Sequence, residues 1–191
     1  MSLVIMLTTK FSFGKNAFDI DRFNKVLWKS VFNIWFFWLR KLPFDEIVQD
    51  LGRSELFDKY RIFYGKESNL KSCIIFINER LRLGDSIIFI VTYQGRAVGF
   101  TQLYPKFSSV QMTKNWIIND LYVMEQFRSK GVGTMLLKKG FEIAKSKGSN
   151  MVYISTQKTN LTAQSLYQYL GFKNVENKND FLDYNFDLSE Y

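Results

Sequence analysis

Apolar side chains recur with a helical period in two neighbouring parts of the chain. Between residues 68 and 84 they fall on one helical face, at Leu70, Cys73, Ile74, Ile77 and Leu81. Ser68 suits the N-cap of this helix, and Gly84 suits the position just past its end. An earlier helical region follows Pro43 and runs with breaks to about residue 64, with Gly52 as an interruption. Because Cys73 lies on an apolar face, we expect a core residue rather than a nucleophile there.

Other segments have the short apolar runs or the strict alternation that β-strands show. Residues 86–92 and 97–104 flank Gln94-Gly95 and predict a hairpin, while residues 116–123, 151–156 and 182–188 predict further strands. Helices are expected from Gly131 to about Lys147 and from Asn160 to Leu170. This order predicts an α/β fold, in which a mostly antiparallel mixed sheet has a parallel strand–helix–strand core and helices on both faces.

The first 30 residues have a different pattern and are expected to form an N-terminal extension to a single domain of residues 31–191. Four apolar residues near helical spacing, with basic residues between them, predict a basic amphipathic helix at Ile20, Phe23, Leu27 and Trp28. Such a helix packs on its own domain or on a partner subunit, or alternatively binds a membrane surface or an acidic partner. The apolar run of residues 31–39 is shorter than the about 20 residues of a membrane helix, so we predict a buried strand and no membrane span.

The composition excludes several kinds of chemistry. The chain has no histidine, so histidine metal sites, Ser-His-Asp triads and Cys-His dyads are excluded, and no metal site is expected. A single cysteine cannot form an internal disulfide, which favours a cytoplasmic location. The net charge of +8 suits an anionic partner. A nucleic acid is one such partner, but the basic residues are spread along the chain without a nucleic-acid motif, so a cofactor that carries phosphates explains the charge equally well.

A basic glycine turn connects the strand of residues 116–123 to the helix that begins at Gly131. Its pattern is R-x-x-G-x-G, from Arg128 to Gly133. A helix N-terminus presents unpaired N–H groups and the positive end of the helix dipole, and therefore binds phosphate. Glycines at 131 and 133 would let phosphate oxygens approach the backbone without a Cβ in the way. The glycine spacing differs from that of a P-loop and from that of a dinucleotide-binding turn.

A second motif, N-x-x-A-x-x-L-Y-x-x-x-G-F, runs from Asn160 to Phe172. The two motifs and the order of the elements together resemble the GNAT superfamily of acetyl-CoA-dependent N-acetyltransferases over residues 34–188. Residues 99–109 and 119–123 are most similar to the branch that contains diamine N-acetyltransferases. The resemblance implies acetyl-CoA as the acetyl donor, a small primary amine as the acceptor, direct transfer in a ternary complex, and possible assembly as a homodimer.

The resemblance also implies roles for individual residues. The backbone of the strand at Leu121, Tyr122 and Val123 would pair with the pantetheine arm of the coenzyme. The pyrophosphate would lie on the turn formed by Arg128, Ser129, Lys130, Gly131, Val132, Gly133 and Thr134. Asn160 would meet the cofactor, cap its helix, or do both. Tyr167 would lie beside the thioester sulfur and donate a hydrogen bond or a proton to the departing thiolate.

The sequence leaves open which group takes the proton from the amine. Without histidine, a carboxylate acting through water is the natural base. The diamine branch has glutamate where this chain has Asn119, so the next residue, Asp120, and the loop residue Glu67 are the candidates. The Asp120 side chain is expected on the sheet face opposite Asn119. The alternative roles for either carboxylate are binding of a cationic substrate or simple solvation. For Tyr64 and Tyr104 the alternatives are the lining of an acceptor pocket and a place in the aromatic core. A non-catalytic acyl-CoA-binding protein is the alternative that Asn119 supports.

Overall fold

The computed structural model describes residues 2–6, 51–175 and 180–191, and its strands form one sheet of seven. The strands are β1 (Ser2–Met6), β2 (Ile87–Tyr93), β3 (Arg96–Ser108), β4 (Thr113–Val123), β5 (Met151–Gln157), β6 (Lys173–Val175) and β7 (Phe181–Asp187). The helices are α1 (Leu51–Phe63), α2 (Leu70–Leu83), α3 (Val132–Ser146) and α4 (Leu161–Tyr169). The predicted amphipathic helix and the buried strand predicted from the apolar run of residues 31–39 lie outside the described residues.

The strand order across the sheet is β1-β2-β3-β4-β5-β7-β6, and only β4 and β5 pair in parallel. The parallel pair flanks α3, as expected of a strand–helix–strand crossover. The predicted mixed, mostly antiparallel sheet with a parallel core is therefore confirmed. The strand Ser2–Met6 pairs with β2, although the sequence pattern places these residues in the N-terminal extension.

Apolar side chains on the two faces of the sheet are buried against different helices. Phe89 and Val91 of β2 face the core that α3 and α4 cover, whereas Ile88 and Ile90 face the core that α1 and α2 cover. Cys73 is 1% exposed in this second core, as expected of a small apolar residue. Helices on both faces of the sheet are thereby confirmed. Among the described helices, none is both long enough and apolar enough to cross a bilayer.

The boundary between α1 and α2 differs in detail from the prediction. Asn69, not Ser68, is the N-cap of α2, because the Asn69 side chain accepts the Ser72 N–H at 3.0 Å. Ser68 instead donates its hydroxyl to the Asp58 carboxylate of α1 at 2.6 Å. Gly52 lies inside α1 and does not interrupt it. Gly84 ends α2 in the left-handed conformation, as predicted.

The two parallel strands are held together at one end and separate at the other. Asn115 Oδ1 accepts the backbone N–H groups of Asn150 and Met151 at 3.3 and 3.2 Å, which fixes the start of β5 beside β4. Pairing between β4 and β5 then covers only the steps from Trp116 to Ile118. Beyond Ile118 the two strands no longer pair, so a gap opens in the sheet between the second half of β4 and the end of β5.

A β-bulge lies where the two strands begin to separate. Leu103 pairs with Ile118 and Gln102 pairs with Asp120, so Asn119 has no partner on β3. The extra residue resets the alternation of side chains along β4, as a bulge does. Ile118 and Leu121 therefore both face the core beneath α3, and Tyr122 faces the core beneath α1.

Candidate active site

A cleft with a volume of about 400 Å³ occupies the gap between the separated strands. Its lining comes from α1, from the second half of β4, from the turn before α3, from β5 and from the first turns of α4. The predicted residues that line it are Leu121, Tyr122, Val123, Arg128, Ser129, Gly131, Gly133, Thr134, Asn160 and Tyr167. The structure thus brings the strand, the glycine turn and the tyrosine-bearing helix together around one space.

The N-terminus of α3 presents unpaired N–H groups to this cleft. The first hydrogen bond of the helix runs from the Met135 N–H to the Gly131 carbonyl at 3.0 Å. The N–H groups of Val132, Gly133 and Thr134 precede that bond and have no partner within the helix. Ser129 and Gly131 both have positive φ, 56° and 80°, which turns the backbone sharply before the helix begins. This arrangement suits an anionic group.

The two basic residues of the turn have different positions. Arg128 lines the cleft, where its Nε donates to the Val123 carbonyl at 3.1 Å and its guanidinium lies 5.4 Å from the centre of the Phe63 ring. Lys130 is exposed and extends over the Phe127 ring, 5.6 Å from its centre, and does not line the cleft. Lys130 therefore lies outside the cleft lining, and its contact with the pyrophosphate stays a prediction.

The two glycines of the turn are required for different reasons. A Cβ at Gly131 would meet nothing within 4 Å, so only the positive φ and the adjacent cleft favour glycine there. A Cβ at Gly133 would lie 2.9 Å from Leu166 Cδ2 of α4. Gly133 therefore also permits the close approach of α3 and α4, a role in addition to the predicted approach of phosphate.

The Val132 side chain lies outside the cleft lining. It is 1% exposed in the core beneath α3, and Val132 Cγ1 lies 3.0 Å from where a Cβ at Gly99 would stand. The predicted role of Val132 in cofactor binding is thus restricted to its N–H group, because the apolar side chain points away from the cleft.

The first turn of α4 has the predicted capping interaction. The Asn160 side chain accepts the Ala163 N–H at 3.2 Å, and Asn160 also lines the cleft. Capping occupies one face of the amide oxygen and leaves the amide nitrogen for a ligand. Both predicted roles of Asn160 are compatible with this position.

Tyr167 lies at the inner end of the cleft. Its side chain is 3% exposed and packs against the rings of Phe172 and Tyr184, with centroids 5.6 and 5.4 Å away. Burial raises the pKa of the phenol above its usual value, with smaller contributions from Tyr64 and Tyr184. A phenol of raised pKa stays protonated at neutral pH. It can donate a hydrogen bond to a thiolate, but full proton transfer to a thiolate, whose conjugate thiol has a pKa of about 8.5, is uphill.

Asp120 is separated from the cleft by other side chains. Its carboxylate is 7% exposed and accepts the Asn119 amide at 3.2 Å and the Tyr60 phenol. Burial raises the pKa of the carboxyl group, and these two hydrogen bonds partly offset the increase. Asn119 lines the cleft and Asp120 does not, but their side chains are hydrogen-bonded to each other, so the expectation that they lie on opposite faces of the sheet is wrong. The bulge at Asn119 breaks the alternation on which that expectation rests. A proton that moves between Asp120 and the cleft must therefore pass through a neighbouring side chain.

The other candidate base does not belong to this site. Glu67 is exposed in the loop after α1, and its backbone carbonyl accepts a hydrogen bond from the Arg61 guanidinium at 3.2 Å.

Tyr64 lines the cleft, as one interpretation of the sequence allows. Tyr104 does not line it; burial, followed by the charge of Asp120, raises the pKa of Tyr104 to about 12.

An aromatic wall from α1 is the part of the site that the sequence pattern misses. Tyr60 and Phe63 line the cleft beside Tyr64 and Tyr122. The rings of Tyr60 and Tyr64 meet edge to face with centroids 5.1 Å apart. The spacing of Tyr60, Phe63 and Tyr64 on one helical face was the available signal, but it does not distinguish a core face from a cleft wall. Leu166, which contacts the Gly133 position, was missed for the same reason.

Among residues 2–6, 51–175 and 180–191, no group of three or more His, Cys, Asp or Glu side chains is arranged to hold a metal ion.

Comparisons with known proteins agree with this geometry. A model of the acetyltransferase (GNAT) family matches residues 51–172. The chain is 40% identical over 118 residues to YhfO, an uncharacterized N-acetyltransferase of Bacillus subtilis, covering 62% of this chain and 79% of that protein. It is 32% identical over 94 residues to the thialysine N-epsilon-acetyltransferase of Mus musculus, covering 49% and 55% of the two chains. A crystal structure of a probable acetyltransferase has a TM-score of 0.64 and 36% identity, covering 70% and 89%.

Proposed function

Because the chain belongs to the acetyltransferase (GNAT) family, we propose that it transfers the acetyl group of acetyl-CoA to a primary amine in the cleft between β4 and β5. One observation carries the proposal: the unpaired N–H groups before α3, the unpaired edge of β4 and the Tyr167 phenol line the same cleft. Each of these three features matches one part of a thioester coenzyme.

The anionic part of the coenzyme suits the turn before α3. A pyrophosphate accepts hydrogen bonds from helix N-terminal N–H groups, and the helix dipole favours its charge. Arg128 adds a cation in the cleft and is free to exchange its bond to the Val123 carbonyl for a phosphate oxygen. Release of that carbonyl would also make the β4 backbone available to the amide groups of the pantetheine arm.

We assign to Tyr167 the stabilisation of the leaving group, which is the thiolate of coenzyme A. The amine nitrogen attacks the thioester carbonyl, the C–N bond forms, and the C–S bond breaks to give a thiolate. Tyr167 donates a hydrogen bond to the sulfur as negative charge develops there. Because burial raises the pKa of Tyr167, the phenol keeps its proton, and the thiolate takes the proton that the attacking nitrogen loses as the amide forms, or one from water.

A primary amine acceptor is supported by the other wall of the cleft. The faces of Tyr60, Phe63 and Tyr64 attract a cation, as aromatic rings do, and the Asp120 carboxylate lies behind them. The Mus musculus relative is named for acetylation of the terminal amine of thialysine. We therefore extend the proposal to acceptors with a primary amine at the end of a flexible chain, such as diamines and side-chain amines of amino acids.

The direct test is release of free coenzyme A from acetyl-CoA, measured with a thiol reagent, in the presence of a panel of primary amines. We expect release that depends on the amine and that produces one acetylated amine per thiol, confirmed by mass spectrometry. Secondary and tertiary amines of similar size serve as matched controls. Thiol release that is the same with and without every amine would contradict the proposal.

A further inference from the structure

The acceptor amine poses a problem that the proposed function leaves unsolved. An alkylamine with a pKa of about 10.4 binds as an ammonium ion at neutral pH, and the ammonium ion cannot attack a thioester. The Asp120 carboxylate, the candidate base next to the cleft wall, is buried behind side chains that line the cleft. A proton must therefore cross that wall to reach it.

Tyr60 is the side chain that spans the wall. It lines the cleft, and its phenol donates a hydrogen bond to the Asp120 carboxylate. Four aromatic rings hold it in place, with centroids 5.1 to 6.2 Å away: Phe57, Tyr64, Phe100 and Tyr122. The Tyr60 phenol thus connects the cleft with a buried carboxylate.

Resting on the proposed function, we propose that Tyr60 is a catalytic residue that takes the proton from the acceptor ammonium and passes its own phenol proton to Asp120. The N–H bond of the ammonium breaks as an O–H bond forms at Tyr60. In the same step the original O–H bond of Tyr60 breaks and one forms at the Asp120 carboxylate. The result is a neutral amine, a neutral phenol and a neutral carboxylic acid, with no net gain or loss of protons.

The neighbouring groups cannot replace Tyr60 in this relay. Asn119 contacts Asp120, but its amide only donates to the carboxylate and cannot take a proton from an amine. Tyr64 lines the cleft, yet the hydrogen bonds to the Asp120 side chain come from Tyr60 and Asn119. Burial makes the Asp120 carboxylate a stronger base than an exposed one, which favours its role as the final acceptor.

The test compares Tyr60→Phe with the wild type on two acceptors of the same shape. One is a simple alkylamine, and the other is its β,β,β-trifluorinated analogue, which is neutral at the assay pH and needs no base before it attacks. We expect Tyr60→Phe to lower kcat/KM about 100-fold for the alkylamine and less than about threefold for the fluorinated amine. The matched control is Tyr169→Phe, because Tyr169 is 81% exposed on α4 and does not line the cleft.

Two further measurements separate a relay from a structural role. The defect of Tyr60→Phe with the alkylamine should shrink as the pH rises towards the amine pKa, because free amine then replaces ammonium. Tyr60→Phe and Asp120→Asn together should be no worse than either alone, because both interrupt one path. Equal defects on both acceptors, a defect independent of pH, or additive defects would overturn the relay while leaving the acetyltransferase proposal intact. If the wild type acetylates neither acceptor, the proposed function fails and the relay with it.

Discussion

Gly133 on α3 and Leu166 on α4 are in such close contact that a Cβ at residue 133 would lie 2.9 Å from Leu166 Cδ2. The two helices carry the two halves of the candidate coenzyme site, since α3 presents the N–H groups and α4 carries Tyr167. The glycine is therefore what sets the distance between the turn that suits the pyrophosphate and the phenol that suits the sulfur.

This contact predicts energetic coupling between residues 133 and 166. Gly133→Ala should be less favourable in the wild type than in a Leu166→Ala background, by about 1 kcal/mol in the free energy of unfolding, because the shortened side chain makes room for the new methyl group. Urea unfolding of the four proteins measures the difference. Equal effects in both backgrounds would show that the helices are not in contact there.

The different positions of the two basic side chains in the turn predict different effects on coenzyme affinity. Arg128→Ala should raise the Kd for acetyl-CoA about tenfold, the loss expected for a charge-assisted hydrogen bond to a phosphate. Lys130→Ala serves as the matched control and should change the Kd less than about twofold, because Lys130 does not line the cleft. Isothermal titration of acetyl-CoA into both variants measures the two Kd values. A larger increase for Lys130→Ala than for Arg128→Ala would contradict the assignment of phosphate binding to Arg128.

The hydrogen bonds of Asp58 lead us to expect that the folded protein becomes less stable in acid. The Asp58 carboxylate accepts the Ser68 hydroxyl at 2.6 Å and the Asn69 N–H at 2.8 Å, and these bonds hold its pKa below the usual range. Because the pKa is depressed in the folded state, the stabilisation is complete above the unfolded pKa of about 3.9 and is lost as the pH falls below it. Asp58→Asn should destabilise the protein by about 1–3 kcal/mol at pH 7 and reduce this acid dependence.

Thermal unfolding between pH 3 and pH 7 checks the Asp58 prediction. Glu67→Gln, in the exposed loop between the same two helices, is the control and should leave both stability and its acid dependence nearly unchanged. An Asp58→Asn protein that retains the full acid dependence of the wild type would show that other carboxylates cause it.

Loss of the Tyr167 hydroxyl should lower kcat without weakening the binding of acetyl-CoA. Tyr167→Phe should lower kcat about 100-fold, because the departing thiolate loses its hydrogen bond, while the Kd for acetyl-CoA changes less than about twofold. Tyr169→Phe on the same helix controls for the loss of an exposed phenol. Unchanged turnover in Tyr167→Phe would remove this residue from the mechanism.

Features encoded within a few residues were predictable from the sequence. The helix end at Gly84 and the capping by Asn160 depend on local chemistry, and the structure contains both. The division of apolar side chains between strands and helices also predicted the mixed sheet, because each period specifies which face is buried.

Features that depend on how distant elements meet were not predictable in the same way. The bulge at Asn119 exists only in the register between β3 and β4, and nothing in the local sequence of β4 signals it. Tyr60 is far from Asp120 in sequence, so their hydrogen bond follows only from the packing of α1 on the sheet. The close approach at Gly133 likewise requires α4 to be in place.

The central claim is that the cleft between β4 and β5 holds acetyl-CoA in one orientation, and a crystal structure with bound coenzyme A tests it most directly. The account predicts pyrophosphate oxygens within hydrogen-bond distance of the backbone N–H groups of residues 131–134, and the sulfur within hydrogen-bond distance of the Tyr167 hydroxyl. Coenzyme bound in the separate groove lined by Tyr93, Arg96 and Phe127, or with its sulfur remote from Tyr167, would contradict it.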